Sequence, residues 1–107
     1  MRSPFVSNHF ISDGKPAGGS TYGQGFAIAW QNGPLGTGTD RKSPNGAFVE
    51  DIIAAAVDRI AFYQNSGQFW CEENRDALNH LEIALQLLDK RTKRREAAGV
   101  EGPHKGN

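Results

Sequence analysis

The sequence predicts an α+β protein in which a small antiparallel β element precedes a long antiparallel α-helical hairpin, and which assembles as an oligomer. A stretch around residue 28 alternates large and small side chains, and two later stretches repeat apolar residues at intervals of three and four. Only 37% of the 107 residues are hydrophobic, so the chain has room for one small domain. Small domains often gain stability by self-association.

The β element is predicted in the sequence GFAIAWQNG, where Phe26, Ile28 and Trp30 alternate with smaller or polar residues. This period of two gives a strand one bulky face, and Asn32-Gly33 marks the turn that ends it. We expect the strand region to cover residues 24–44.

The chain is expected to divide after residue 23. Residues 1–23 are rich in glycine and serine, so they predict an irregular arm that is flexible or ordered only by a partner. Residues 24–104 are expected to form a single domain. Its helical hairpin spans residues 46–98, and residues 99–107 form the tail.

The first helix is predicted at about residues 46–65, with Ser43 or Asn45 as its cap. Glu50 and Asp51 fall in its first turn, where the helix dipole favours anions. The second helix is predicted from residues 71–74 to about residue 98, a length of about 40 Å. Its apolar stripe consists of Ala77, Leu78, Leu81, Ala84, Leu85 and Leu88.

Five of the six residues from Lys90 to Arg95 are basic. At 100° per residue, Arg95 continues the apolar stripe of the second helix and Arg91 lies at its edge. Lys93 and Arg94 project to other sides, as Lys90 does, and Asp89 is placed to pair with Lys93 one turn later. The run therefore separates into two inward arginines and three solvated cations.

An inward arginine requires a compensating partner, because an unpaired buried charge is costly. One alternative is an ion pair with Glu72, Glu73 or Asp58, or a guanidinium that extends to solvent at the helix end. The other alternative is a ligand phosphate, which the planar guanidinium fork binds with two hydrogen bonds.

Four aromatic residues surround the connection between the helices, and Asn74 begins the second helix beside them: Phe62, Tyr63, Phe69 and Trp70. They could form a hydrophobic plug with Asn74 as a helix cap, or a slot in which a nucleobase stacks and an amide reads its edge. In one chain this aromatic end lies far from the arginines. Two antiparallel protomers would bring the two ends together.

The remaining composition excludes several function classes. No Walker loop, dinucleotide fingerprint, catalytic triad or metal-ligand cluster is found, so we expect a binding protein rather than an enzyme, without a cofactor. The single cysteine, Cys71, excludes an internal disulfide, and no signal peptide or membrane span is expected. A net charge of zero argues against binding to nucleic acid polymers.

Residues 24–104 resemble the first-described Thoeris anti-defence family of phage proteins, which share a helical-hairpin domain with a phage anti-CBASS protein. The most specific parts are the C-x-E-N start of the second helix, its L-x-x-R-T-x-x-R end and the GVEG tail. The resemblance rests on the segments WQNGPLG, NGAFVEDIIAAAVDRIAFYQ and FWCEENRDALNHLEIALQLLDKRTKRREAAGVEG.

The resemblance implies a protein that sequesters nucleotide second messengers of bacterial immunity without cleaving them, in the cytoplasm of the infected host. It implies cyclic ADP-ribose isomers as ligands, to which some members of the family add cyclic trinucleotides in separate pockets. It also implies assembly as dimers, in some members as hexamers built from dimers. Thoeris effectors, and CBASS effectors with them, would then not be activated.

The family motifs fall on Tyr63, Asn74, Arg91 and Arg95 of this sequence. Phe69 of the aromatic group and Arg41, in the loop after the strand, complete the predicted ligand-binding set. Two other functions stay open from the residues alone. The surface of the second helix could inhibit a host enzyme by binding it, and Lys90, Lys93 and Arg94 could bind nucleic acid.

Overall fold

The computed structural model describes residues 1–36 and 38–98, and it begins with a three-stranded antiparallel sheet. The strands are β1 (Phe5–Ser12), β2 (Lys15–Gly23) and β3 (Phe26–Asn32), hydrogen-bonded in that order. β3 confirms the strand that was predicted from alternation, and it ends at the predicted Asn-Gly turn.

Two helices follow the sheet, so the predicted α+β class is confirmed. A 3₁₀ turn, Gly38–Asp40, lies in the loop before helix α1 (Val49–Gln64), and helix α2 (Glu72–Ala97) follows. The chain divides into two units. We call the unit that contains Met1–Phe48 the sheet unit, and the unit of Val49–Arg94 the helical unit; the chain from Arg95 on is grouped with the first.

Strands β1 and β2 occupy the segment for which the sequence predicted irregular structure, so that prediction is wrong for these strands. Asp13 and Gly14 connect the strands, and both have positive φ, 52° and 74°. Two such residues form the tight hairpin turn whose twist matches that of the strands. β2 also pairs with β3 across the boundary that was predicted after residue 23.

The glycines of β2 accommodate a β-bulge. The pairing of β1 with β2 shifts between His9 and Ile11, where β2 contains one residue more than β1. Gly18 and Gly19 lie at this point with φ of 82° and 136°. A Cβ atom at Gly19 would collide with the carbonyl oxygen of Asn8. A glycine-rich sequence is therefore compatible with a strand here, because the bulge requires it.

A polar ladder crosses the middle of the sheet. The Thr21 hydroxyl accepts a hydrogen bond of 2.8 Å from the Trp30 indole Nε1, and it lies 2.8 Å from the Ser7 hydroxyl. Thr21 is one of the few buried residues among those described. All three strands are thus joined by side chains as well as by backbone pairing.

The loop after β3 is attached to that strand by amide side chains. The Gln31 Oε1 accepts hydrogen bonds from the backbone nitrogens of Asn45 and Gly46, at 2.9 and 3.2 Å. The Asn45 side chain in turn bonds to both backbone groups of Asn32. The prediction that Asn45 caps α1 is therefore wrong, because its side-chain amide bonds to the edge of the sheet instead. A parallel bridge to Ala47 continues this edge.

The two helices agree with the predicted boundaries to within a few residues, and the acidic first turn of α1 is confirmed. None of the residues of α1 or α2, all of which the structure describes, is fully buried. The predicted tail, residues 99–107, and the glycine expected to end α2 lie outside the described residues.

Candidate functional site

Three aromatic rings form a cluster at the end of α1. The Tyr63 ring centroid lies 6.0 Å from that of Phe62 and 6.4 Å from that of Phe69, with both pairs tilted. All three side chains are exposed, from 36% for Tyr63 to 63% for Phe69, and Trp70 is exposed as well. In the single chain the cluster is therefore not buried, and the rings present faces that a ligand can reach.

Arg59 belongs to this cluster, although sequence reasoning missed it. Its guanidinium carbon lies 5.1 Å from the Phe62 ring centroid and 5.0 Å from the Tyr63 ring centroid. Its Nε donates a hydrogen bond of 3.1 Å to the Tyr63 hydroxyl. The spacing of three and four residues along α1 is the signal that could have found it.

The connection between the helices is closed by a reciprocal pair of hydrogen bonds. The Gln64 Oε1 accepts from the Cys71 backbone nitrogen at 3.0 Å, and the Gln64 Nε2 donates to the Cys71 carbonyl at 3.2 Å. The Cys71 thiol then accepts from the backbone nitrogen of Asn74 at 3.4 Å. This bond satisfies one of the free N–H groups at the start of α2, so Cys71 caps the helix.

Asn74 is consequently free for another role than capping, which corrects the alternative that made it a plain cap. Its Nδ2 donates a hydrogen bond of 3.3 Å to the carbonyl oxygen of Phe69. Among the described residues its Oδ1 atom accepts no hydrogen bond. The structure therefore brings together Tyr63, Phe69 and Asn74 of the predicted set, with one amide acceptor still unused.

The basic run of α2 separates as the helical angles predicted. Arg91 and Arg95 are half-buried, whereas the other three cations, Lys90, Lys93 and Arg94, are exposed. The predicted pair is confirmed, because the Lys93 Nζ lies 3.1 Å from the Asp89 carboxylate. The Arg91 Nε atom is buried and has no hydrogen-bond partner among the described residues. A guanidinium in that position can accommodate an anion from outside the chain.

The aromatic cluster and the arginines do not form one site within a single α2 helix. Asn74 and Arg91 lie 17 positions apart in that helix. At 1.5 Å per residue they are separated by about 26 Å along the helix axis. Two parts of the predicted site thus occupy distant turns of the same helix.

Arg41 lies in the loop of the sheet unit, where it is exposed. A cavity of about 390 Å³ lies in the same loop, and sequence reasoning missed it. The adjacent Lys42 contributes a cation to its wall, and Asp40 contributes a carboxylate. Its floor includes Gln31, which is tied to the loop by the hydrogen bonds described above.

The described part of the chain supports neither a metal site nor a membrane-spanning helix. It contains no group of three histidine, cysteine, aspartate or glutamate side chains that could hold a metal ion. Within the same residues, neither helix combines the length and the apolar character that crossing a membrane requires.

Comparison with known proteins adds two findings. The Acb2/Tad1 hairpin domain matches residues 24–93. The chain is also similar to a protein of Bacillus phage SBSphiJ7 named Thoeris anti-defense 1, with 46% identity over 77 residues. This similarity covers 72% of the chain but 53% of the relative, so the chain spans about half the length of that protein. The matched domain contains Tyr63, Asn74 and Arg91.

Proposed function

Because the chain belongs to the Acb2/Tad1 hairpin-domain family, we propose that it is a phage anti-defence protein that sequesters nucleotide second messengers of bacterial immunity. The proposed ligands are cyclic ADP-ribose isomers, which are bound and not cleaved in the cytoplasm of the infected cell. Thoeris effectors are then deprived of their activator. The observation that carries this proposal is the buried Nε of Arg91, which has no acceptor among the described residues.

The chemistry of the ligand fits the two groups of side chains. A purine base stacks on the exposed rings of Tyr63 and Phe69, which accept any flat π system. The unused Oδ1 of Asn74 accepts a hydrogen bond from the edge of that base. The diphosphate is bound by Arg91 and Arg95, whose guanidinium groups form charge-assisted hydrogen bonds.

The proposed site requires two chains. Base and phosphates of a compact nucleotide lie much closer together than the separation of about 26 Å between Asn74 and Arg91 in one helix. An antiparallel pair of protomers places the aromatic end of one chain beside the arginine end of its partner. A dimer, or a hexamer built from dimers, is therefore part of the proposal.

Isothermal titration of the purified protein with a cyclic ADP-ribose isomer tests the proposal. We expect Arg91→Ala to reduce affinity by about 1.5 to 3 kcal/mol, roughly ten- to a hundredfold. Arg94→Ala is the matched control, because it removes an exposed arginine from the same helix and should leave affinity unchanged.

The fate of the nucleotide separates sequestration from catalysis. Heating the complex should release the nucleotide with its original mass and chromatographic mobility. A chemically altered product would replace sequestration by an enzymatic function. Equal affinities of the Arg91 and Arg94 variants would remove the phosphate role of Arg91.

We propose the loop cavity of the sheet unit as the place for a second ligand class, cyclic trinucleotides. Its volume, about 390 Å³, lies in the range of small-molecule sites, and Lys42 in its wall supplies positive charge. Arg41 precedes Lys42 in the chain and is exposed. Binding to this cavity would extend the protection to CBASS effectors. Lys42→Ala should weaken trinucleotide binding more than Arg41→Ala does, and both variants should leave the titration with cyclic ADP-ribose unchanged.

A different function, inhibition of a host enzyme by direct binding, is favoured by one observation. Ile83 and Leu87 lie one turn apart on α2 and are exposed by 51% and 61%. A pair of exposed apolar side chains can contact a protein partner. Co-purification of a defined host enzyme that is lost in Leu87→Asp, and is independent of nucleotide, would favour this alternative over sequestration.

A further inference from the structure

The Arg59 side chain is held in place by aromatic residues although it is exposed. It lies on α1 one turn before Tyr63, is exposed, and yet has its guanidinium held against two aromatic rings. The hydrogen bond from its Nε to the Tyr63 hydroxyl uses one of the five N–H groups of the side chain. Among the described residues, the remaining four donors have no acceptor.

The contact constrains Tyr63. The Tyr63 hydroxyl oxygen accepts a hydrogen bond from Arg59 Nε. The guanidinium carbon of Arg59 lies over the Tyr63 ring, 5.0 Å from its centroid. An exposed tyrosine without such contacts samples several orientations and must be ordered when a ligand stacks on it. By restricting Tyr63 before a ligand arrives, Arg59 therefore reduces the conformational entropy that the ring loses on binding.

The contact also places positive charge at the aromatic end of the proposed site. Arg91 and Arg95 lie at the other end of α2, about 26 Å from Asn74 in the case of Arg91. A guanidinium over one face of an aromatic ring leaves the opposite face for a base, and N–H groups that extend past the ring edge can bind acceptor atoms of that base. Arg59 is a candidate for that role, since its guanidinium carbon lies 5.0 Å from the Tyr63 ring centroid and only its Nε is hydrogen-bonded among the described residues.

We propose that Arg59 is a specificity-determining residue of the nucleotide site: its Nε holds Tyr63 in the stacking orientation, and its other N–H groups bind acceptor atoms on the base. This inference rests on the proposed function. It assigns the recognition of the base to α1 as well as to Asn74, and it leaves the phosphates to the arginines of α2.

Titration of the full-length protein with a cyclic ADP-ribose isomer tests the inference. Arg59→Ala should weaken binding on the order of tenfold or more, because a cationic hydrogen bond and the order of the ring are lost together. Arg59→Lys should recover only part of this loss, since an ammonium keeps the charge but not the planar fork. Arg75→Ala, which removes an exposed arginine paired only with Asp76, should bind like the wild type.

A double-mutant cycle separates recognition from a merely structural role. Arg59→Ala and Tyr63→Ala should be coupled, so that the double variant loses at least threefold less than the product of the single losses. Arg59→Ala and Arg91→Ala should instead combine multiplicatively, because they act on different parts of the ligand. The urea midpoint of Arg59→Ala should match that of Arg75→Ala, as expected for an exposed side chain.

The outcomes for this inference and for the proposed function differ. If the wild type binds and Arg91→Ala and Tyr63→Ala lose affinity while Arg59→Ala does not, Arg59 has no part in recognition and only this inference fails. Loss in Arg59→Ala without coupling to Tyr63 would also overturn it. If the wild type does not bind any cyclic ADP-ribose isomer, the proposed function itself fails.

Discussion

The sheet unit and the helical unit are stabilised in different ways. In the sheet unit, backbone pairing is supplemented by side chains that bond to specific partners, and Leu35, Thr21 and Gln31 are buried. In the helical unit no residue of α1 or α2 is buried, although both helices are fully described. The half-buried positions of α2 follow one stripe: Asn74, Ala77, Leu78, Leu81, Ala84, Leu85, Leu88, Arg91, Thr92 and Arg95.

This difference indicates where each unit finds its stability. The sheet unit is stabilised by specific contacts within one chain, so the loss of a single contact should lower its stability. The helical unit retains apolar surface that a single chain leaves in contact with water, and burial of that surface contributes about 25 cal/mol per Å². We therefore expect the helical unit to depend on the second protomer of the proposed assembly, and the sheet unit to be independent of it.

The largest effect is expected at Gly19. A side chain at this position collides with the Asn8 carbonyl and must adopt a φ of 136°, so Gly19→Ala should separate β1 from β2. We expect a loss of about 3 kcal/mol or more in unfolding free energy, measured by urea denaturation. Gly25→Ala is the control, because it shares a positive φ of 90° but has no atom within 4 Å of the added Cβ. Equal losses in both variants would mean that backbone strain, and not the collision, determines the result.

Removal of the Gln31 amide should have the next largest effect. Gln31→Ala leaves the backbone nitrogens of Asn45 and Gly46 without their acceptor, and it removes a side chain that is only 9% exposed. Unsatisfied groups of this kind cost about 1 to 3 kcal/mol. Urea denaturation should therefore show a clear loss, and Gln24→Ala, an exposed glutamine in the turn before β3, should show none. An unchanged midpoint for Gln31→Ala would indicate that the loop is not attached through this side chain.

A smaller effect, but one that depends on concentration, is expected in the helical unit. Leu81 lies in the half-buried stripe of α2 and Leu87 is 61% exposed. Leu81→Ala should lower the unfolding free energy by about 1 to 2 kcal/mol and shift sedimentation towards the monomer. Leu87→Ala should do neither. If the melting temperatures of the wild type and of Leu81→Ala do not change with protein concentration, the stripe is not an interface between protomers.

The elements that could be predicted from the sequence are those with a clear periodicity. Alternation along β3 and the spacing of three and four in α1 and α2 gave their positions to within a few residues. β1 and β2 could not be predicted from composition, because the glycine and serine content of residues 1–23 is typical of irregular structure. The Asp13-Gly14 pair is the feature of this segment that indicates a hairpin.

The candidate site was predictable to the extent that it depends on position along one helix. Helical angles alone identified Arg91 and Arg95 as half-buried among five cations. The loop cavity could not be predicted, because its wall joins Gln31 to Asn45, which are distant in sequence. The spacing of three and four residues from Arg59 to Phe62 and Tyr63 is compatible with the contact, but an arginine that is solvated can have the same spacing, so the sequence indicates this contact without establishing it.

The smallest effect is expected at the cap of α2. Here Cys71 takes part both in the helix cap, through its thiol, and in the closed connection between the helices, through its backbone. The Cys71 thiol accepts one N–H of α2, while its backbone is held by the Gln64 side chain. Cys71→Ala removes only the thiol bond and should cost about 0.5 to 1 kcal/mol in thermal unfolding. Cys71→Ser should be at least as stable as the wild type in thermal unfolding, since a hydroxyl is a better acceptor than a thiol at this position. Gln64→Ala should cost more than Cys71→Ala, because it releases both backbone groups that close the connection. The reverse order would mean that the helix cap, and not the reciprocal amide pair, determines the position of Phe69 and Asn74 beside Tyr63.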